Sequence, residues 1–204
     1  IILRKTNKKK RFSFVVTGGS SPINLYKDLG KSKIKWSKID FFWSDERMIK
    51  NSSKDSNLFY FNKYIFKKNN INKNQIFAVD YVKGRPNISN NIYKKKNKSN
   101  FKNKKAIFDL VLLGMGNDGH IASIFSKKQI HSKNKEVSSY VRKGDFHRVT
   151  LNLKTINDSK NIFLWLPNEE KSLIYSLIRK DKKNNAAVNY LKKSKTCIYQ
   201  IKNV

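Results

Sequence analysis

The residues best suited to chemistry sit in three short polar stretches, each directly behind an apolar run: Thr17-Gly18-Gly19-Ser20-Ser21-Pro22, Ser44-Asp45-Glu46-Arg47 and Gly114-Met115-Gly116-Asn117-Asp118-Gly119-His120. An apolar run ending in turn residues reads as a buried strand and the loop past its C-terminal end, which is where open α/β sheets bind ligands. The glycine turn at Gly18-Gly19 feeding a helix start offers backbone N–H groups and hydroxyls to an anion. Acids are scarce, 14 against 45 basic residues, yet Asp45, Glu46 and Asp118 all fall at these strand ends. Asp118-Gly119-His120 puts an imidazole beside a carboxylate at a flexible turn, the arrangement of a general base. Asp45-Glu46-Arg47 reads either as part of the same site or as a surface ion-pair cluster.

Other chemistries fit less well. No Gly-Lys-Ser/Thr comes after the first glycine turn, so it is not a nucleotide-binding P-loop. Gly114, Gly116 and Gly119 match GxGxxG in letters, but Asp118 and His120 crowd the place a pyrophosphate needs, and no acid stands at the right distance beyond. No nucleotide cofactor is expected. The three histidines and Cys197 are widely separated, without metal-ligand spacing, so no metal is expected. Ser20 is not in a GxSxG elbow, Cys197 reads as an inert thiol, and His131 and His147 receive no role.

The elements that must hold these loops can be read along the chain. Strands are expected over Phe12–Thr17, Lys38–Trp43, Phe108–Leu113, Arg148–Leu153 and Asn161–Leu166, with a last edge strand over Thr196–Ile201. Helices are expected from Pro22 through Leu29 with Ser21 as cap, from Ser56, from Gly119-His120-Ile121, and over Glu169–Arg179. Lys67–Asn74 and Asn87–Lys105 read as solvated, low-complexity helix and loop. Strands alternating with helices predict an α/β fold with an open, mostly parallel sheet flanked by helices. A single domain over residues 1–204 is expected, with the helix that should precede the first strand absent or truncated.

Composition narrows the setting. The net charge is +31 at 204 residues, which raises the question of nucleic acid or an anionic membrane. Only 7 of the 45 basic residues are Arg, and the lysines alternate with Asn and Ile along the whole chain. That scatter fits compositional drift better than a nucleic-acid surface. A positive field would also steer a small anionic substrate inward. One cysteine excludes an intrachain disulfide, and no run is apolar enough to span a bilayer. A cytoplasmic monomer with a small-molecule substrate and no membrane partner is expected.

Taken in order, FVVTGGSSPINLYKDL at Phe14–Leu29, IDFFWSDERMI at Ile39–Ile49, SN at Ser56-Asn57, FDLVLLGMGNDGHIASIFS at Phe108–Ser126, RVTLNLKTIN at Arg148–Asn157 and NEEKSLI at Asn168–Ile174 resemble the 6-phosphogluconolactonases. Thr17, Ser21, Ser44 and Asn117 depart from the family's usual Ser, Thr, Gly and Pro, and none of these removes a charged group. The resemblance implies a fold of the sugar-phosphate isomerase/deaminase type and hydrolysis of 6-phospho-D-glucono-1,5-lactone in the oxidative pentose phosphate pathway, without metal or cofactor. It implies His120 as general base, with Asp118 holding the imidazole or the water. Arg47 and Lys171, with Gly18, Gly19 and Ser20, are implied as the phosphate grip, and Arg148 adds to it. Asp45 would orient Arg47 or a substrate hydroxyl. Backbone N–H groups of Gly114 and Gly116 are placed to stabilise an oxyanion. Two alternatives compete: a glucosamine-6-phosphate deaminase-like enzyme, and a basic nucleic-acid-binding protein on a decayed lactonase scaffold. After Asp-Gly-His, the deaminases carry a catalytic glutamate where this chain continues Ser123-Ile124-Phe125-Ser126.

Overall fold

The computed structural model describes residues 2–8, 11–19, 21–181 and 183–200. Helix α1 (Ile2–Lys8), of seven residues, precedes the first strand. The strands are β1 (Phe12–Val16), β2 (Ile39–Trp43), β3 (Asp45–Arg47), β4 (Ile76–Phe77), β5 (Leu110–Leu113), β6 (Ser138–Lys143), β7 (Phe146–Leu151), β8 (Ile162–Leu166) and β9 (Thr196–Gln200). The further helices are α2 (Ile23–Leu29), α3 (Asn57–Phe61), α4 (Lys67–Asn69), α5 (Pro86–Asn100), α6 (Lys127–Ile130), α7 (Leu153–Asp158) and α8 (Glu169–Lys180), a π turn joining α3 to α4.

Six strands form a parallel sheet in the order β4-β2-β1-β5-β8-β9. β1, β2 and β5 are buried at every residue, which is why they read as unbroken apolar runs. From β1 the chain builds outward to β2 and β4, then crosses back to β5 on the other side. The switch in direction opens a crevice beyond the C-terminal ends of β1 and β5.

Two buried tyrosines fix the strand ends that lead into this crevice. The Tyr26 hydroxyl donates to the Thr17 carbonyl at 2.5 Å and accepts from the Thr17 N–H at 3.1 Å. The Tyr93 hydroxyl does the same at Trp43, at 2.6 and 3.0 Å. Burial raises both phenols well above their ordinary range, so each stays neutral and keeps its proton to donate. The rings complete an aromatic core, Tyr26 meeting Phe61 edge-on at 4.8 Å, and Phe61 meeting Phe66 at 4.9 Å.

Several expectations needed correction. Asp45–Arg47 is a strand and not a loop: β3 pairs antiparallel with β7, and β7 with β6, in a second, three-stranded sheet. The strand expected over Arg148–Leu153 starts earlier and ends at Leu151, because Asn152 and Leu153 turn into α7. Ser21 caps nothing; Pro22 itself occupies the N-cap of α2. No helix opens at Gly119-His120-Ile121, the chain instead making compact turns until α6. Residues 87–105, read as solvated and low in complexity, contain most of the fifteen-residue α5 with Ser89, Asn90, Tyr93 and Asn97 buried. That stripe is polar, so hydrophobic periodicity does not reveal it. It is bonded internally, Asn90 accepting from Ser138 at 2.7 Å and Asn97 donating to the Tyr93 carbonyl at 2.8 Å.

Candidate active site

The crevice past β1 and β5 is a cleft of about 180 Å³ reached by the first glycine turn, by β3 and β7, and by the loop after β5. His120, Arg47, Arg148, Asp45, Gly18, Gly19, Gly114 and Gly116 all line it. The three stretches singled out in the sequence therefore converge. Ser20 lies outside the described residues. Asp118 stands just behind the cleft wall, against the imidazole.

The loop after β5 is shaped around His120. The Gly119 N–H donates to the Gly116 carbonyl and the Gly116 N–H to the His120 carbonyl, each at 2.9 Å, closing a tight turn. Gly119 takes φ +78°, a conformation that favours glycine. His120 Nδ1 meets Asp118 Oδ1 at 2.5 Å, and the His120 backbone N–H donates to the same oxygen at 3.2 Å. Burial pushes the Asp118 carboxyl upward, but the hydrogen bond and positive potential of His120 outweigh it and hold it below its usual range. An ionised Asp118 accepts the proton on Nδ1 and so leaves Nε2 as the imidazole's free lone pair. Phe125 backs the ring at 4.6 Å.

A Cβ on Gly116 would overlap His120 Cε1 and Nδ1 and press on Asp118 Oδ1. We expect Gly116→Ala to displace the ring and lower kcat by about 10²-fold, the scale of a 1 Å misplacement. Steady-state kinetics on the folded variant checks this, and wild-type turnover would refute the tight fit. The Gly116 N–H is already donated within the turn. The expectation that it serves an oxyanion is therefore corrected, while Gly114 faces open space in the cleft wall.

In the same cleft, Arg47 on β3 and Arg148 on β7 are direct antiparallel partners. Two like charges facing each other across strands repel. Burial first, then the charge of Arg47, lowers the Arg148 guanidinium below its ordinary value, against the opposing pull of Asp45 and Glu46. Both Nε atoms are buried and make no hydrogen bond among the described residues. Arg47 spends one terminal nitrogen on the Asp55 carbonyl at 2.7 Å, and Arg148 lies over the Phe125 ring at 5.7 Å. Paired guanidiniums with buried unpaired N–H groups have the donor set of an anion site. Lys171, near the start of α8, reaches the loop after β5 and donates to Asn117 Oδ1, so it stands at the rim and not in the cleft wall.

The acids of Asp45-Glu46 are buried, so the surface ion-pair reading is corrected, and neither bonds Arg47 through a side-chain pair among the described residues. Asp45 Oδ2 accepts from Ser123 Oγ at 2.7 Å, and Asn57 Nδ2 donates to the Asp45 carbonyl at 2.8 Å. Asn57 lies so close beneath Gly18 that a Cβ there would overlap its amide. Asp45 thereby ties all three loops together and does not orient Arg47. Ser123 was missed as a site residue because it acts through Asp45, distant in sequence, and Phe125 because an apolar ring against the imidazole carries no chemical signature of its own.

Glu46 accepts from the N–H groups of Arg47 and Asn57 at 2.8 Å and of Leu58 at 2.9 Å, which seats the start of α3 on β3. Burial pushes its carboxyl up to about 7, helped by the Asp45 charge and opposed by those N–H donors. Between its ordinary value of 4.5 and about 7 the folded chain holds more protons than the unfolded one, so this residue's contribution to stability falls as pH rises through that window. In urea titrations, the stability advantage of wild type over Glu46→Gln should shrink across it. A constant or growing advantage would contradict the assignment.

Among the described residues, no three His, Cys, Asp or Glu side chains form a metal-ligating group, and no helix is long and apolar enough to cross a membrane. A family model described as "Glucosamine-6-phosphate isomerases/6-phosphogluconolactonase" matches residues 2–198. The chain belongs to that family of sugar-phosphate enzymes. Within it, the similarity is to the 6-phosphogluconolactonases. The one from Thermotoga maritima is 32% identical over 178 residues, 85% of this chain and 77% of that protein. A probable 6-phosphogluconolactonase from Dictyostelium discoideum is 31% identical over 86% of this chain and 76% of its own length. The Thermotoga maritima crystal structure superposes with a TM-score of 0.84 at 27% identity, covering 96% of this chain and 87% of that one.

Proposed function

We infer that the chain hydrolyses 6-phospho-D-glucono-1,5-lactone to 6-phosphogluconate, with His120 as base and the Arg47–Arg148 pair as phosphate grip. It is a 6-phosphogluconolactonase, a lactone hydrolase of the pentose phosphate pathway. The observation that carries the assignment of roles is that one cleft is lined by an imidazole backed by a carboxylate and by two half-buried arginines whose buried Nε atoms have no partner among the described residues.

The phosphate docks between Arg47 and Arg148, whose unpaired Nε–H groups it satisfies, with the Gly18-Gly19 turn and Lys171 beside it. Docking there presents the lactone carbonyl to His120. Nε2 removes a proton from water as the water oxygen bonds C1, and the carbonyl oxygen becomes an oxyanion. The backbone at Gly114 lies on the cleft wall to receive that charge. The C1–O5 bond then breaks, and the imidazolium Nε2–H hands its proton to O5, which leaves as a hydroxyl. The imidazole is restored and the product carboxylic acid ionises in water. Asp118 stabilises the imidazolium between the two proton transfers.

The deaminase alternative would place an acid after Asp118-Gly119-His120. In this chain the position of that glutamate holds Phe125, whose ring packs on His120 at 4.6 Å. In a pH-stat with freshly prepared 6-phosphogluconolactone, corrected for spontaneous hydrolysis, acid release should rise in proportion to enzyme. Ammonia release from glucosamine 6-phosphate without lactonase turnover would reverse the assignment.

A further inference from the structure

A groove of about 590 Å³ lies away from the catalytic cleft and shares no lining residue with it. It is walled by the second half of α5, residues 103–106 leading into β5, residues 135–137 leading into β6, and α7. Seven of its thirteen lining residues are lysine, whereas lysine makes up 38 of 204 residues in the chain. Scatter along the sequence therefore becomes concentration in space, because four distant segments turn their lysines to one recess.

Both acids in the groove are already engaged. Glu136 pairs with Lys94 at 3.3 Å, and Asp158 pairs with Lys105 at 2.8 Å and Lys154 at 3.4 Å. Lys95, Lys98, Lys104 and Lys135 are exposed and have no ion pair among the described residues. At physiological ionic strength, charges add their fields only within about 8 Å. Lysines spread over a surface stay screened from one another, while those facing across a recess reinforce.

We propose that this groove binds a linear inorganic polyphosphate. Lysine grips phosphate oxygens as a point charge without demanding a fixed geometry. The lining has no aromatic ring on which a base could stack and no arginine to read a base edge or fork a carboxylate. The ligand chemistry that fits is dense phosphate charge on a flexible chain without bases.

The test compares binding of sodium polyphosphate across a salt series by wild type and two variants of equal charge loss. One carries Lys95→Gln, Lys98→Gln, Lys104→Gln and Lys135→Gln. The other carries Lys31→Gln, Lys35→Gln, Lys67→Gln and Lys68→Gln, four exposed lysines elsewhere. The groove variant should bind about tenfold more weakly or worse, and its salt slope should flatten by about 3, since each lost contact contributes about 0.7. The control variant should stay within about twofold of wild type. Equal weakening of both would overturn the proposal in favour of a diffuse field, and no binding by wild type would overturn it outright. Groove-dependent binding of polyuridylate as tight as polyphosphate at matched charge would overturn the choice of ligand.

Discussion

His120→Ala lowers kcat by about 10²–10⁴-fold, the range that a positioned acid–base group supplies, while KM stays near its wild-type value. The split comes from geometry. The imidazole lines the cleft, held by Asp118 at 2.5 Å and backed by Phe125, and in the proposed mechanism it meets the reacting carbonyl and not the phosphate. Its removal costs a transition-state interaction and leaves the anion grip in place. Asp118→Asn should show a milder loss, since the amide can still contact the ring but no longer fixes the neutral tautomer or steadies the imidazolium. Initial rates over a range of substrate concentrations check this, and a rise in KM with kcat preserved would assign His120 to binding.

Arg47→Ala raises KM for the phosphorylated lactone by about 10–100-fold, since a hydrogen bond to a charged group contributes about 1.5–3 kcal/mol. The guanidinium sits opposite Arg148 with its Nε buried and unpaired. In the absence of ligand the two charges oppose each other, so removing one relieves repulsion in the free protein while removing a contact from the complex. The variant should therefore melt no lower than wild type even as it binds substrate poorly. A variant with unchanged KM would place the phosphate elsewhere.

The catalytic loops were legible in the sequence because their supports are fully buried strands. β1, β2 and β5 read as continuous apolar runs, and the residues just past the end of such a run in a parallel sheet face the ligand. His120 and Arg47 could be found that way. The short strand β3 could not, because its residues are the polar motif itself and its pairing with β7 joins segments about a hundred residues apart. The burial of helix α5, read as solvated helix and loop, escaped notice for a related reason: its buried face is Ser, Asn and Tyr, satisfied by hydrogen bonds rather than apolar contact. Asp45 was recognisable as a strand-end acid, but its partners Asn57 and Ser123 are set by tertiary structure, so its work of tying the loops together was not.

In the proposed mechanism one cleft divides its labour between an imidazole for the ester and guanidiniums for the phosphate. Measuring kcat/KM of wild type, His120→Ala and Arg47→Ala on both 6-phosphogluconolactone and unphosphorylated glucono-1,5-lactone tests this directly. The division predicts that His120→Ala loses activity on both lactones alike, whereas Arg47→Ala loses it only on the phosphorylated one. Equal losses on both substrates for Arg47→Ala, or a His120→Ala defect confined to the phosphorylated lactone, would contradict it.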